Sequence, residues 1–177
     1  MNVICFGDSN TYGYDPRSPL GGRYPAHSRW VDILAARTGW HVQNMGLNGR
    51  TIPAAAPDFP PDTDLLIVFL GDNDVLQGAS PREAAGRLER FVTQVPLPRE
   101  NILLIAPPLA RMGEWVTDPA LLDASRDFAR CCAETAARLG TRFADGSAWG
   151  VEMAFDGVHF TEEGHRVFAE GLLEALA

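Results

Sequence analysis

At 177 residues with 46% hydrophobic side chains, the chain is long enough to bury one full core without disulfide or metal staples, which predicts a single domain over residues 1–177. A formal charge of −8, with its 15 basic residues scattered rather than gathered in a stripe, weighs against nucleic acid as a partner. No run approaches the roughly 20 apolar residues that cross a bilayer, no basic leader precedes the first apolar run, and Cys5, Cys131 and Cys132 are too badly spaced for a disulfide framework, so a soluble, reduced, cytoplasmic protein with no membrane partner is expected.

Val3 to Phe6 reads as the first buried strand, followed by a glycine-bounded turn, Gly7 to Gly13. A helix is expected to open at Ser28 and close at Gly39, and His41 to Met45 to form the next strand. Pro53 to Pro61, rich in Pro and Ala, reads as a surface loop that supplies a wall of a cleft. Leu65 to Leu70 and Ile102 to Ala106 are almost continuously apolar, as in parallel strands covered on both faces. Between them Ser80-Pro81-Arg82-Glu83 is a capping box with proline at the first helical position. A helix from Asp118-Pro119 runs to about Leu139 with Gly140 as its stop, Thr141 to Ala144 is the last strand, and a helix from Thr161 follows. Strands alternating with helices predict an α/β fold with a parallel sheet.

In such sheets ligands bind beyond the carboxyl ends of the strands, where the strand order reverses. Ser9 follows the first strand, Asn48-Gly49 the second and Gly71-Asp72-Asn73-Asp74 the third, so three polar turns are expected along one edge. Serine is a weak nucleophile without a base, and Asp156-Gly157-Val158-His159 sets a carboxylate and an imidazole three residues apart. Together Ser9, Asp156 and His159 are the parts of a hydrolytic triad, provided the loop before the last helix returns over the same edge.

Gly7-Asp8-Ser9-Asn10-Thr11-Tyr12-Gly13, Asn44-Met45-Gly46-Leu47-Asn48-Gly49, Gly71-Asp72-Asn73-Asp74 and Asp156-Gly157-Val158-His159-Phe160 resemble, in order, the four blocks of the SGNH hydrolase superfamily, or GDSL esterases. The resemblance spans the chain from Asn2 to the last helix. It implies a flavodoxin-like α/β/α sandwich of three layers with a five-stranded parallel sheet in the order 2-1-3-4-5. Arg29-Trp30 and Gly46 to Thr51 are similar to the small arylesterase and acyltransferase branch, whose members act on short-chain esters. Carried over, the resemblance makes Ser9 the nucleophile, His159 the general base and then acid, and Asp156 the residue that orients the imidazole. It makes the amides of Ser9 and Gly49 and the side chain of Asn73 the oxyanion hole. Tyr12, Tyr14 and Trp115 are candidates for an acyl or alcohol pocket, against a plainer role as core or rim aromatics, and Asp8 and Val158 are further candidate substrate-binding residues. The implied activity is hydrolysis of small, acetyl-like esters through an acyl-enzyme, with transfer to alcohols as a competing outcome and carbohydrate acetylesterase as the alternative. No metal or cofactor is called for, and the partner is a small-molecule ester. The Pro53 to Pro61 loop and the Ala110 to Asp118 segment are contact surfaces in oligomeric relatives, which leaves a homo-oligomer open.

One residue departs from the pattern. Asp72 stands where the family more often has a small or neutral residue, and a carboxylate beside an oxyanion site would oppose the developing charge, so it is expected to turn to solvent or to pair with Arg50. Two other classes stay open at this point. A metal-dependent hydrolase would draw on Asp8, Asp72, Asp74, Asp156 and His159, though no second placed histidine supports it. A binding module on the same architecture has no phosphate-binding loop or dinucleotide fingerprint to favour it. His165, His27 and His41 read as packing or solvated histidines.

Overall fold

The computed structural model describes residues 1–18 and 20–177. Five strands, β1 (Asn2–Gly7), β2 (His41–Gly46), β3 (Leu65–Phe69), β4 (Ile102–Ala106) and β5 (Arg142–Asp145), pair in parallel in the order β2-β1-β3-β4-β5. This is the flavodoxin-like order expected from the sequence, with the reversal beside β1. Among the described residues six α-helices accompany them: α1 (Ser9–Tyr12), α2 (Trp30–Thr38), α3 (Asp72–Leu76), α4 (Pro81–Gln94), α5 (Pro119–Leu139) and α6 (Glu162–Leu176).

The period-two geometry of a strand divides the core. Val3 and Cys5 of β1, with Leu65, Ile67 and Phe69 of β3, face Trp30 and Leu34 of α2 and Phe168 and Leu172 of α6. Ile4 and Phe6, with Leu66 and Val68, face Leu88 and Phe91 of α4 and Phe128 and Cys132 of α5. Both faces of β3 and β4 are covered, which explains their unbroken apolar runs. The edge strand β2 buries no residue fully, with His41 and Gln43 exposed and the rest half-buried.

Helix ends follow their local chemistry where a side chain is free to cap. Ser80 and Glu83 form the full capping box of α4, Asp118 accepts from the Ala120 amide at the start of α5, Gly140 closes α5 in the left-handed conformation, and Thr161 accepts from Gly164 at the start of α6. The start of α2 differs from expectation. Ser28 lies in a preceding 3-10 turn, its hydroxyl donates to Glu162 at 2.6 Å, and Arg29 takes the cap position without a side-chain bond. A tertiary partner has drawn off the local cap. The loop from Pro53 to Pro61 carries no helix or strand, and it is anchored by Phe59, which meets Phe6 edge-to-face with centroids 5.5 Å apart.

Candidate active site

The turn that displays Ser9 depends on close approach. A Cβ on Gly7 would lie 2.0 Å from Thr11 Oγ1 and 2.7 Å from the Phe69 carbonyl oxygen, so only glycine lets β1 turn directly into α1. Asp8 caps that single helical turn, its Oδ1 accepting from the Asn10 amide at 3.0 Å, and Ser9 is its first residue.

His159 comes to Ser9 from the far end of the chain. Its Nε2 lies 2.9 Å from Ser9 Oγ, and its Nδ1 lies 2.6 Å from Asp156 Oδ2. The other carboxylate oxygen, Oδ1, accepts from the amides of Val158 and His159, both at 2.9 Å, so the acid also folds the loop that carries the base. Burial works to raise the Asp156 pKa, but the bonds from His159 and these amides outweigh it and hold the carboxyl below its usual range. An ionised Asp156 favours the tautomer with hydrogen on Nδ1, which leaves the Nε2 lone pair for the serine hydroxyl.

Asn10 joins the two loops. Its Nδ2 donates to the Val158 carbonyl at 3.1 Å and its Oδ1 accepts from the Phe160 amide at 3.0 Å, while its own carbonyl accepts from Trp30 Nε1 at 2.9 Å. A second brace comes from the segment before α5. The amides of Arg111, Glu114 and Trp115 donate to the carbonyls of Gly157, Phe155 and Asp156 respectively. A Cβ on Gly113 would sit 2.5 Å from the Asp156 carbonyl carbon, so the segment lies flat against the catalytic loop. Sequence reasoning missed both braces. Asn10 offered only its place beside Ser9 as a signal, and Gly113 offered none.

The three polar turns do meet at the strand ends. Among the described residues neither the Ser9 nor the Gly49 amide donates a hydrogen bond, and Gly49 adopts a φ of 71° that suits glycine. Asn73 Nδ2 donates to the Arg50 carbonyl at 3.1 Å, which ties α3 to the Gly49 turn. Asp74, fully buried, reinforces that tie by accepting from the Ile52 amide and from Arg87, both at 2.8 Å.

The candidate substrate-binding residues separate. The Tyr14 and Trp115 rings flank the His159 imidazole, with centroids at 4.6 and 4.9 Å. Val158 lines a narrow cleft of about 10 Å³, with Asp72, Val75, Leu76, Pro108 and Met153 among the other walls, and Ser9, Asp156 and His159 do not line it. Tyr12 lies instead under Arg23, whose guanidinium carbon is 4.5 Å from its ring centroid. Asp8 is buried beneath the nucleophile turn, where its pKa is pushed up to about 6 by burial, against the Asn10 amide and the His159 and Arg50 charges.

Of the two arrangements expected for Asp72, pairing with Arg50 does not occur. Arg50 is engaged elsewhere, donating to the carbonyls of Gly7 and Met45 and lying 4.2 Å over the Phe6 ring. Among the described residues Asp72 makes no ion pair or side-chain hydrogen bond, and it lies half-buried at the border of the cleft, where its carboxylate keeps access to solvent. Burial, then the neighbouring Asp8, pushes its pKa well above the carboxylate range.

The acidic residues of the metal alternative do not converge: Asp156 serves His159, Asp74 serves Ile52 and Arg87, and Asp8 serves Asn10. Among the described residues no group of three or more His, Cys, Asp or Glu side chains is placed to hold a metal ion. His165 is fully buried against Tyr24 and Phe160, and burial drives its pKa down to about 3, which makes it a packing residue. No described helix is long and apolar enough to cross a membrane.

The model of the GDSL-like lipase/acylhydrolase family matches residues 5–167. Among solved structures, the chain is similar to a carbohydrate acetylesterase family member from Sinorhizobium meliloti, at 26% identity and a TM-score of 0.83, over 99% of this chain and 96% of that one. It is also similar to the native aryl esterase of M. smegmatis, at 26% identity and a TM-score of 0.80, over 99% of this chain and 97% of that one. No curated protein matches the chain.

Proposed function

The chain belongs to the GDSL-like lipase/acylhydrolase family and is a carboxylic ester hydrolase, and from that premise we propose that it is a serine esterase for short-chain, acetyl-like esters, acting as one catalytic domain through an acyl-enzyme. The observation that carries the assignment is the continuous hydrogen-bonded line from Ser9 through His159 to Asp156, at 2.9 and 2.6 Å.

Ser9 Oγ attacks the ester carbonyl while His159 Nε2 takes its proton, and Asp156 stabilises the imidazolium that results. The negative oxygen of the tetrahedral intermediate falls to the Ser9 and Gly49 amides and the Asn73 side chain, donors that are each worth roughly 3 kcal/mol in such sites. His159 returns the proton to the leaving alcohol, and a water activated in the same way releases the acid. An alcohol in place of water gives acyl transfer. Trp115 and Tyr14, packed on the imidazole, restrict water on that side and favour an aromatic or otherwise apolar leaving group.

The second reading is an acetylesterase for carbohydrates, supported by likeness to the Sinorhizobium meliloti enzyme. Hydrolysis of p-nitrophenyl acetate, butyrate and octanoate by wild type and Ser9→Ala, with intact mass after organophosphate treatment, tests the assignment. Acetate turnover lost in Ser9→Ala, with a single adduct on Ser9, is expected. Equal activity in both proteins refutes it. Release of acetate from acetylated sugars faster than from phenyl acetate favours the second reading.

A further inference from the structure

Both nitrogens of the His159 imidazole are engaged within the triad, one by Asp156 and one by Ser9. The rest of the ring lies against two aromatics: Tyr14, with centroids 4.6 Å apart and planes at 55°, and Trp115, at 4.9 Å and 80°. Each aromatic is tied through its backbone to one of the two partners of His159. The Tyr14 amide donates to the Ser9 carbonyl at 3.0 Å, and the Trp115 amide donates to the Asp156 carbonyl at 3.1 Å. Trp115 is 56% exposed, so replacing its side chain empties no core site. His159 is 3% exposed and Asp156 1%, which leaves little water to solvate a charge on the imidazole.

We propose that Tyr14 and Trp115 are positioning residues of the reaction, whose rings hold and stabilise the His159 imidazolium in the transition state. This rests on the esterase reading and gives the two rings a task in its chemistry. In the attack step the bond from Ser9 Oγ to the ester carbon forms, and the carbonyl π pair moves to the oxyanion. The hydroxyl proton goes to His159 Nε2, so the imidazole gains a full positive charge, and the proton leaves again with the alcohol. A cation within about 6 Å of an aromatic centroid is drawn to the π system, most strongly to tryptophan and more strongly where water is scarce. A neutral imidazole gains little of this attraction. The contact is therefore stronger in the transition state than in the ground state, which is the condition for raising kcat rather than lowering KM.

Phenyl acetate and methyl acetate separate this role from contact with the leaving group, because only the first releases an aromatic alcohol. Trp115→Leu is expected to lower kcat by about 5- to 30-fold on both esters, with KM for methyl acetate little changed. Tyr14→Leu is expected to do the same by a smaller factor, since a phenol ring attracts a cation less than an indole. Trp115→Phe and Tyr14→Phe, which keep a ring, are expected to recover most of the loss. Progressively fluorinated tryptophans at position 115, close to tryptophan in shape but poorer in π-electron density, are expected to lower log kcat in step. A loss confined to phenyl acetate overturns the proposal, as does a Trp115→Phe enzyme as slow as Trp115→Leu, both judged on proteins that circular dichroism shows folded. A kcat on methyl acetate indifferent to fluorination also overturns it, and that series decides should the Leu variants fail to fold. Failure of the esterase reading is distinguishable, because then neither ester is turned over in a way that Ser9→Ala abolishes.

Discussion

Removing the side chain of Asn10 tests how far that residue holds the two halves of the triad in register. Asn10→Ala deletes two buried hydrogen bonds, to the Val158 carbonyl and from the Phe160 amide, and leaves both backbone groups without a partner. At 1–3 kcal/mol for each buried group left unsatisfied, the loss is about 2–4 kcal/mol, because water reaching the vacated space recovers part of it. In a protein of this size that lowers Tm by roughly 5–15 °C. The catalytic cost is separate. The peptide groups held by Asn10 lie on either side of His159, so freeing them lets the imidazole drift, and misplacement of about 1 Å costs on the order of 100-fold in rate. Thermal melts combined with kcat and KM for phenyl acetate separate the two effects. A fall of about 10- to 100-fold in kcat with KM little changed is expected. A folded Asn10→Ala enzyme with wild-type kcat refutes the clamp, even if its Tm has dropped, because the side chain is then structural only.

Asp156→Asn, which keeps the shape but favours the wrong imidazole tautomer, is expected to lower kcat by about 10⁴-fold, and a loss below about 10-fold in steady-state assays speaks against its orienting role. Gly113→Ala drives a methyl into the Asp156 carbonyl and is expected to reduce kcat by about 10-fold or more, which a Gly113→Ala enzyme of unchanged kcat disproves. The two buried acids act on stability in opposite directions. Asp8, raised to about 6, favours folding in its neutral form, so its contribution is fully present below about pH 4 and is lost as pH rises through 6. Asp156, held low, contributes above about pH 4 and loses that contribution as pH falls through its folded value. Urea titrations between pH 4 and 7 are expected to show a shallower decline in Asp8→Asn, where asparagine still caps α1, than in wild type; equal slopes contradict the burial argument.

Much of this architecture was legible because it rests on local chemistry. The unbroken apolar runs of β3 and β4, the Ser80-Glu83 box and the Gly140 stop each specify their structure within a few residues, and the structure contains them all. The site was legible in part for the same reason: Gly7 and Gly157 announce tight approaches around Ser9 and Asp156. What could not be read involves competition between distant partners. Ser28 has the chemistry of a helix cap, yet Glu162 takes its hydroxyl. Arg50 is a reasonable partner for Asp72 by charge, yet two backbone carbonyls and the Phe6 ring engage it first. Tyr12 shares a motif with Ser9, but one helical turn points its ring toward Arg23 while Tyr14 reaches the imidazole. Such outcomes depend on which group arrives nearest in three dimensions, and spacing along the chain does not encode that.

The Asn10 clamp spans 150 residues between its side chain and Phe160, and β1, which leads into it, lies between β2 and β3. During synthesis the nucleophile turn is therefore made early but stays idle until the ribosome has delivered the loop that carries the base. Before then Ser9 has neither a base within reach nor the second loop that its neighbour grips. In the proposed mechanism hydrolytic competence therefore waits for the closure of a 150-residue loop, and the appearance of activity on a translating or refolding chain marks the moment when the Ser9 and His159 segments first meet.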